Sequence, residues 1–169
     1  MPRGFTLIET AMVITIIAIL AIVLIIKGNP FDTIKLDNAA EKIAGDIRYA
    51  QKLAVTTQNR AGIIFGANSY SVCNDVTPPA SVIAQSPGDP CSTDASGQFI
   101  VDLLNGCDEY KNITLAMANA PSSILAFNAF GVPISNTGNP LDTTVLTVTY
   151  SSSNRKISIM NSTGMISVQ

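Results

Sequence analysis

The chain has 169 residues, a formal net charge of −2 and no histidine; 47% of its residues are apolar and 13% charged, about half the usual charged share. That length allows one apolar stalk and one globular domain of roughly 110–130 residues, large enough to bury its own core. Without histidine, Ser-His-Asp and Cys-His catalysis and histidine-containing zinc sites are excluded, and a slightly acidic balance gives no broad phosphate-binding field.

The chain opens with Met1-Pro2-Arg3 and then GFTLIETAMVITIIAILAIVLII from Gly4 to Ile26, in which Glu9 is the only charged residue. At about 1.5 Å per residue, a helix from Phe5 to Ile26 is long enough to cross roughly 30 Å of hydrocarbon. A secretory signal peptide fits poorly. Its apolar core is shorter and ends in a small-x-small cleavage site, whereas here the run continues to Ile26 and ends in Lys27-Gly28-Asn29-Pro30. The small residue stands before the run instead.

Gly4-Phe5-Thr6-Leu7-Ile8-Glu9, behind its basic leader, closely resembles the type III signal of type IV pilins and pseudopilins. The resemblance implies cleavage between Gly4 and Phe5 by a prepilin peptidase on the cytoplasmic side. It also implies N-methylation of Phe5 and retention of the apolar helix as a filament spine. The leader, residues 1–4, is short for the family, so the natural start is expected further upstream.

A carboxylate inside an apolar segment costs roughly 2.5–3.5 kcal/mol at mid-membrane and less near an end. Glu9 therefore needs a partner. Thr6-Leu7-Ile8-Glu9 fits a capping box, in which Glu9 would satisfy a free backbone N–H and complement the helix dipole. The family resemblance implies a second role, pairing with the cationic amine of a neighbouring subunit's Phe5 during assembly. Two groups costly to bury singly become tolerable together and set the register between subunits. The two roles are compatible.

Residues 27–60 read as a linker and an amphipathic helix. Gly28-Asn29-Pro30 predicts a break. From about Asp32 to Gln58, Leu36, Ala40, Ile43, Ile47, Ala50 and Ala54 recur at spacings of four and three, one stripe on a helix. Lys35, Asp37, Lys42, Asp46 and Lys52 are expected off that stripe. A stripe of this kind is a face on which a sheet packs; a coiled coil is the weaker reading, because alanines fill half its positions.

Residues 61–169 then form the predicted β domain. Ile63–Phe65 and Tyr70–Val72 around Gly66-Ala67-Asn68 predict a hairpin. Residues 73–97, with Pro78, Pro79, Pro87 and Pro90, read as a Pro-rich loop. Gln98–Leu104, Ile113–Met117 and Ile124–Phe127 are strand candidates. Leu146, Val148 and Tyr150, then Ile157 and Ile159, then Ile166 and Val168, predict an antiparallel meander closed by turns at Ser151–Asn154 and Asn161–Gly164.

The order of Asp46-Ile47-Arg48-Tyr49-Ala50-Gln51, a strand at Gly62–Phe65, Leu125-Ala126-Phe127-Asn128-Ala129-Phe130-Gly131 and a strand pair closing at Gly164 is similar to the H-type minor pseudopilins of type II secretion and the T-type minor pilins of type IV fimbriae. Some T-type relatives bind DNA through basic residues near the C-terminus. Here residues 161–169 hold no Lys or Arg, and Arg155 and Lys156 are the nearest.

The cysteines are Cys73, Cys91 and Cys107, one more than pairs can use. Cys73 with Cys91 would staple the Pro-rich loop, and Cys91 with Cys107 would tie it to the following strand; either would contribute roughly 3 kcal/mol in the chain-entropy model. All three free is the third possibility. No catalytic constellation is present, and Asp108-Glu109 reads as a solvated turn. No metal site is expected: Asp89 and Asp94 could supply calcium oxygens, as a loop does in some major pseudopilins, but the EF-hand spacing is absent.

The sequence therefore reads as α+β, with a long N-terminal helix, membrane-embedded in its first half over 5–26, packed on an antiparallel sheet. The resemblance implies a structural minor pilin or pseudopilin of a bacterial inner membrane, without cofactor or catalysis, its C-terminal domain periplasmic or in an extracellular filament. Its partners would be a prepilin peptidase, other pilin or pseudopilin subunits and membrane lipid, with no nucleic acid. A major pilin, a DNA-uptake minor pilin and an uncleaved bitopic protein are the alternatives.

Overall fold

The computed structural model describes residues 6–26, 30–75, 81–82, 98–120 and 122–169. The chain divides into two compact units, 1–31 and 32–169. The first holds helix α1, Leu7–Ile26.

Helix α2, Pro30–Thr57, organises the second unit. Proline at a first helical position costs no hydrogen bond, and Asp32 in the first turn complements the dipole. Alanine-rich composition favours the interior. The helix stops at Gln58, which turns left-handed (φ 55°), while its side-chain amide donates to the Val55 carbonyl at 2.7 Å and satisfies one of the orphan acceptors of the last turn.

All six residues of the apolar stripe, Leu36, Ala40, Ile43, Ile47, Ala50 and Ala54, are buried, joined by Ala39 and Ala44. Asp46 departs from the expectation: it is buried, not on the solvated face. The physical reason lies in helical neighbourhood, since position 46 is three residues from Ile43 and four from Ala50 and so borders the stripe. Lys42 Nζ at 2.7 Å and the Tyr70 hydroxyl at 2.5 Å compensate its carboxylate there.

Two antiparallel sheets follow, where the sequence suggested one. The first contains β1 (Ala61–Phe65), β2 (Ser69–Asp75), β3 (Ser81–Val82), β4 (Ile100–Asp102), β6 (Ile124–Phe127) and β7 (Pro133–Ile134). Its order is β3-β2-β1-β6-β7, with β4 also on β2. The second runs β10-β9-β8-β5, from Ile166–Val168, Ser153–Ile159, Thr144–Tyr150 and Thr114–Ala118. The hairpin at Gly66–Asn68 is as expected, with Phe65 opposite Tyr70. The strand candidate at Gln98–Leu104 shortens to β4. Residues Cys73–Asp75 of the expected loop extend β2, and Ser81–Val82 form β3; the rest of 73–97 lies outside the described residues.

One core joins α2 to both sheets. Ile63, Phe65, Tyr70, Val72, Leu125 and Phe127 of the first sheet, and Leu115, Leu146, Val148, Ile157, Ile159 and Ile166 of the second, form a single buried cluster with the α2 stripe. On the opposite face of the first sheet Cys73, Ala126 and Ile134 make a smaller cluster. Gly62 is needed between them, because a Cβ there would strike the Leu125 carbonyl and Ala126 backbone.

Ile47, fully buried on the stripe, sets the first prediction. Ile47→Ala should lower unfolding stability by about 2–5 kcal/mol, whereas Val55→Ala, at a 41% exposed position, should cost less than about 1 kcal/mol. Equilibrium denaturation of the full chain in detergent measures both, and equal losses would contradict the assigned face.

Candidate functional site

The sequence placed its candidate residues at the N-terminus. Gly4 and Phe5 lie outside the described residues. Glu9 stands in the first turn of α1, exposed. The Thr6 carbonyl accepts from Glu9 N–H at 3.0 Å and Thr10 N–H at 3.2 Å, so Thr6 caps the helix and Glu9 takes the third helical position, where a capping-box acid sits. Successive side chains are exposed: Leu7 87%, Ile8 71%, Met12 64% and Ile14 67%. A helix turns about 100° per residue, so apolar surface faces every direction. A membrane-crossing helix over 5–26 rests on the sequence: no helix of the described residues is long and apolar enough to cross a membrane, the side chains of α1 being described only to Ala21.

In the second unit, the structure gathers residues the sequence had singled out only as a motif. Gln51 Nε2 donates to the Gly131 carbonyl at 2.8 Å and the Gly164 carbonyl at 3.1 Å. Gly131 follows β6 in the first sheet's chain, and Gly164 precedes β10 of the second. Both glycines are left-handed, at φ 77° and 65°. Asn128 shapes the first turn: its Oδ1 accepts from Phe130 N–H at 2.9 Å and Val132 N–H at 3.0 Å. At Gly164 a Cβ would strike the Gly131 carbonyl and the Gln51 amide. Three segments distant in sequence therefore meet on one amide.

Neighbouring positions of α2 extend this seam. Arg48 reaches the Ile166 carbonyl at 3.4 Å. Asp37 Oδ1 lies 2.6 Å from Arg155 Nε on β9. Lys35 donates to the Asp108 carbonyl at 2.9 Å and sits 4.8 Å from the Tyr150 ring centroid. Arg155, considered above as a nucleic-acid contact, thus pairs inside the domain. The seam went unrecognised in the sequence as a site; its signal was polar Asp46, Arg48 and Gln51 bordering an apolar stripe.

Of the cysteines, Cys73 is buried and free, so it takes part in no disulfide, which corrects its inclusion among the pairing candidates. Burial pushes its thiol pKa up, against a smaller lowering by Ser71. It lies opposite Gly62 inside the first sheet, in the small cluster with Ala126 and Ile134. Cys107 is disulfide-bonded; Cys91, the remaining cysteine, lies outside the described residues, as do Asp89 and Asp94. Asp108 and Glu109 are exposed in a turn. Among the described residues no three His, Cys, Asp or Glu side chains are grouped to hold a metal.

The family model described as a prokaryotic N-terminal methylation motif matches residues 2–25. No curated protein matches the chain. Among solved structures, the minor pseudopilin EpsH from the type 2 secretion system of Vibrio cholerae aligns with a TM-score of 0.54 at 8% identity, over 80% of this chain and 96% of that one. The type IV minor pilin FimU of Pseudomonas aeruginosa aligns in two crystal forms at TM-scores of 0.48 and 0.49 and 18% identity, over 79% of this chain and 87% or 92% of that one. The likeness to EpsH shows a pilin-like fold, a helix packed on antiparallel sheets, as the sequence led one to expect.

Gln51→Ala removes both donors and leaves two carbonyls to find other partners. It should cost about 1–3 kcal/mol, read as a lowered denaturation midpoint of the full chain in detergent. A midpoint within error of the parent would show that the amide does not hold the seam.

Proposed function

We propose that this chain is a structural minor pilin or pseudopilin subunit, assembled into a type II secretion pseudopilus or a type IV pilus and performing no chemistry itself. The observation that carries the reading is a methylation motif at residues 2–25 that coincides with a helix apolar on every side and charged only at Glu9, ahead of a pilin-like domain. Such a helix has no stable place in water, since exposed apolar area costs roughly 25 cal/mol per Å2. Lipid and then neighbouring helices would cover it.

On this reading a prepilin peptidase cuts between Gly4 and Phe5, Phe5 is methylated, and the new amine pairs with Glu9 of an adjacent subunit. The pairing cancels two charges that are each expensive in an apolar filament core. Before assembly the chain is held in the inner membrane by residues 5–26, with 61–169 on the periplasmic side; afterwards the same helix forms the spine. A minor subunit of this kind would help to start or cap a filament, and through it assist protein secretion. Against the DNA-uptake alternative stands Arg155, one of the two basic residues nearest the C-terminal end, which is already paired with Asp37.

Intact mass and N-terminal fragmentation of protein extracted from its native membrane test the processing. The expected species begins at Phe5 with one added methyl group, and Gly4→Val blocks its formation. A chain that keeps residues 1–4 would end the assembly reading.

Glu9→Ala should leave the domain folded and the protein in the membrane while reducing its recovery in sheared filament fractions by roughly tenfold, about 1.4 kcal/mol of lost pairing. Unreduced recovery would remove Glu9 from the assembly mechanism.

A further inference from the structure

Away from the helix seam, the loop from β5 to β6 and the loop from β7 to β8 line an open cleft of about 530 Å3, within the roughly 300–1,000 Å3 of small-molecule sites. Its lining is unusual for such a site. Asn119, Ser122, Ser135, Asn136, Thr137 and Asn139 supply amides and hydroxyls, Asp142 one carboxylate, and Pro140 and Leu141 a small apolar surface. No Lys, Arg or aromatic residue is among the described lining residues.

The polar groups are held in place rather than free to collapse on a ligand. Asn119 Nδ2 donates to the Thr143 carbonyl at 3.0 Å and ties the two loops together, which leaves its Oδ1 as an acceptor. Buried Ser135 shares a hydrogen bond with Thr137 at 2.9 Å and accepts from Asn139 N–H at 3.2 Å. The Asn139 amide donates to Thr137 Oγ1 at 3.2 Å. Left-handed backbone occurs at Asn119 (φ 65°), Ser123 (φ 52°) and Gly138 (φ 90°). Of these only Asn119 lines the cleft, and its conformation is one that asparagine adopts readily in turns.

We propose that this cleft binds a neutral saccharide. An apolar ligand would strip water from six polar side chains without replacing it. An anion, nucleic acid included, would meet Asp142 with no Lys or Arg among the described lining residues, the nearby Arg60 guanidinium lying against Gly138 outside that lining. A divalent cation would find a single carboxylate where several hard oxygens are usual. A sugar brings donors and acceptors together: vicinal hydroxyls can donate to the two oxygens of Asp142, others exchange bonds with the Asn amides, and the C–H face of the ring lies on Pro140 and Leu141. This goes beyond assembly and does not depend on it.

The test uses the full chain in an amine-oxide detergent, because maltoside head groups would themselves compete. Maltose, cellobiose and chitobiose are each offered, with binding read by saturation-transfer NMR and titration. At least one is expected to bind with a millimolar Kd. Asp142→Asn should weaken that binding roughly tenfold, as expected for the loss of a hydrogen bond to a charged group. Asn139→Ala should weaken it in the same direction, and Lys111→Gln should not change it; all three should keep the parent's thermal midpoint. Transfer from none of the three sugars overturns the proposal, as does equal binding by Asp142→Asn and the parent. Displacement of the bound sugar by the neutral peptide Ser-Gly-Ser would also overturn it, assigning the cleft to peptide backbone instead.

Discussion

The second unit has one helix face and two sheets to place on it, and the two N–H groups of Gln51 are where that demand is tightest. A planar amide has two donors in fixed geometry, and here they fall on carbonyls from two turns belonging to different sheets. For both carbonyls to come within reach, the chain must turn left-handed at Gly131 and Gly164, and at Gly164 there is no room for a side chain. The apolar cluster supplies most of the free energy and sets which face of the helix is buried, but it gives little direction within that face, because hydrophobic burial is non-directional. The amide supplies the direction. Asp46 with Tyr70 and Asp37 with Arg155 repeat the device further along the helix.

A second tie sits at the hairpin of the first sheet. Asn68 Nδ2 donates to the Ile113 carbonyl at 3.1 Å, and the Ala67 carbonyl accepts from Leu115 N–H at 2.9 Å, which brings the β1–β2 turn against the start of β5. The sheets thus meet at a backbone turn and at the helix amide, and neither tie uses a strand ladder. That is why alternation of apolar and polar residues could predict the strands but not their division between sheets. Period-2 patterning records which face of a strand is buried; it holds no information on which strands share hydrogen bonds.

What the sequence made legible follows from the same reasoning. The α2 stripe and β8 and β9 were readable because each is long relative to its period and half-buried. Two-residue elements such as Pro133–Ile134 are too short for any period, and a proline there is tolerated only because β7 is an edge of its sheet. Asp46 is buried where a charged helix residue is expected in solvent. Its neighbours Lys42 and Tyr70 make it a compensated border residue, and Tyr70 lies 24 positions away, beyond any helical pattern. The N-terminal motif was the most legible feature, since its residues act through local spacing alone. The cleft proposed for saccharide was invisible, because its loops are 12 or more residues apart and composed of residue types that serve equally well as ordinary turns.

The distribution of charge ties these observations together. Lys35, Asp37, Lys42, Asp46 and Arg155 are engaged in contacts within the second unit, and the helix of the first unit carries Glu9 alone. With 10 basic and 12 acidic residues the whole chain has a formal net charge of only −2, which gives little long-range field, and a screened field reaches only about 10 Å at ordinary ionic strength. On the two proposals made above, recognition would be short-range: apolar surface and one carboxylate at the N-terminal helix, amides and hydroxyls at the loop cleft. On the proposed reading, such a helix would enter an apolar assembly with one charge to compensate, and Glu9 would serve as a register mark because no other charge along the helix could substitute for it.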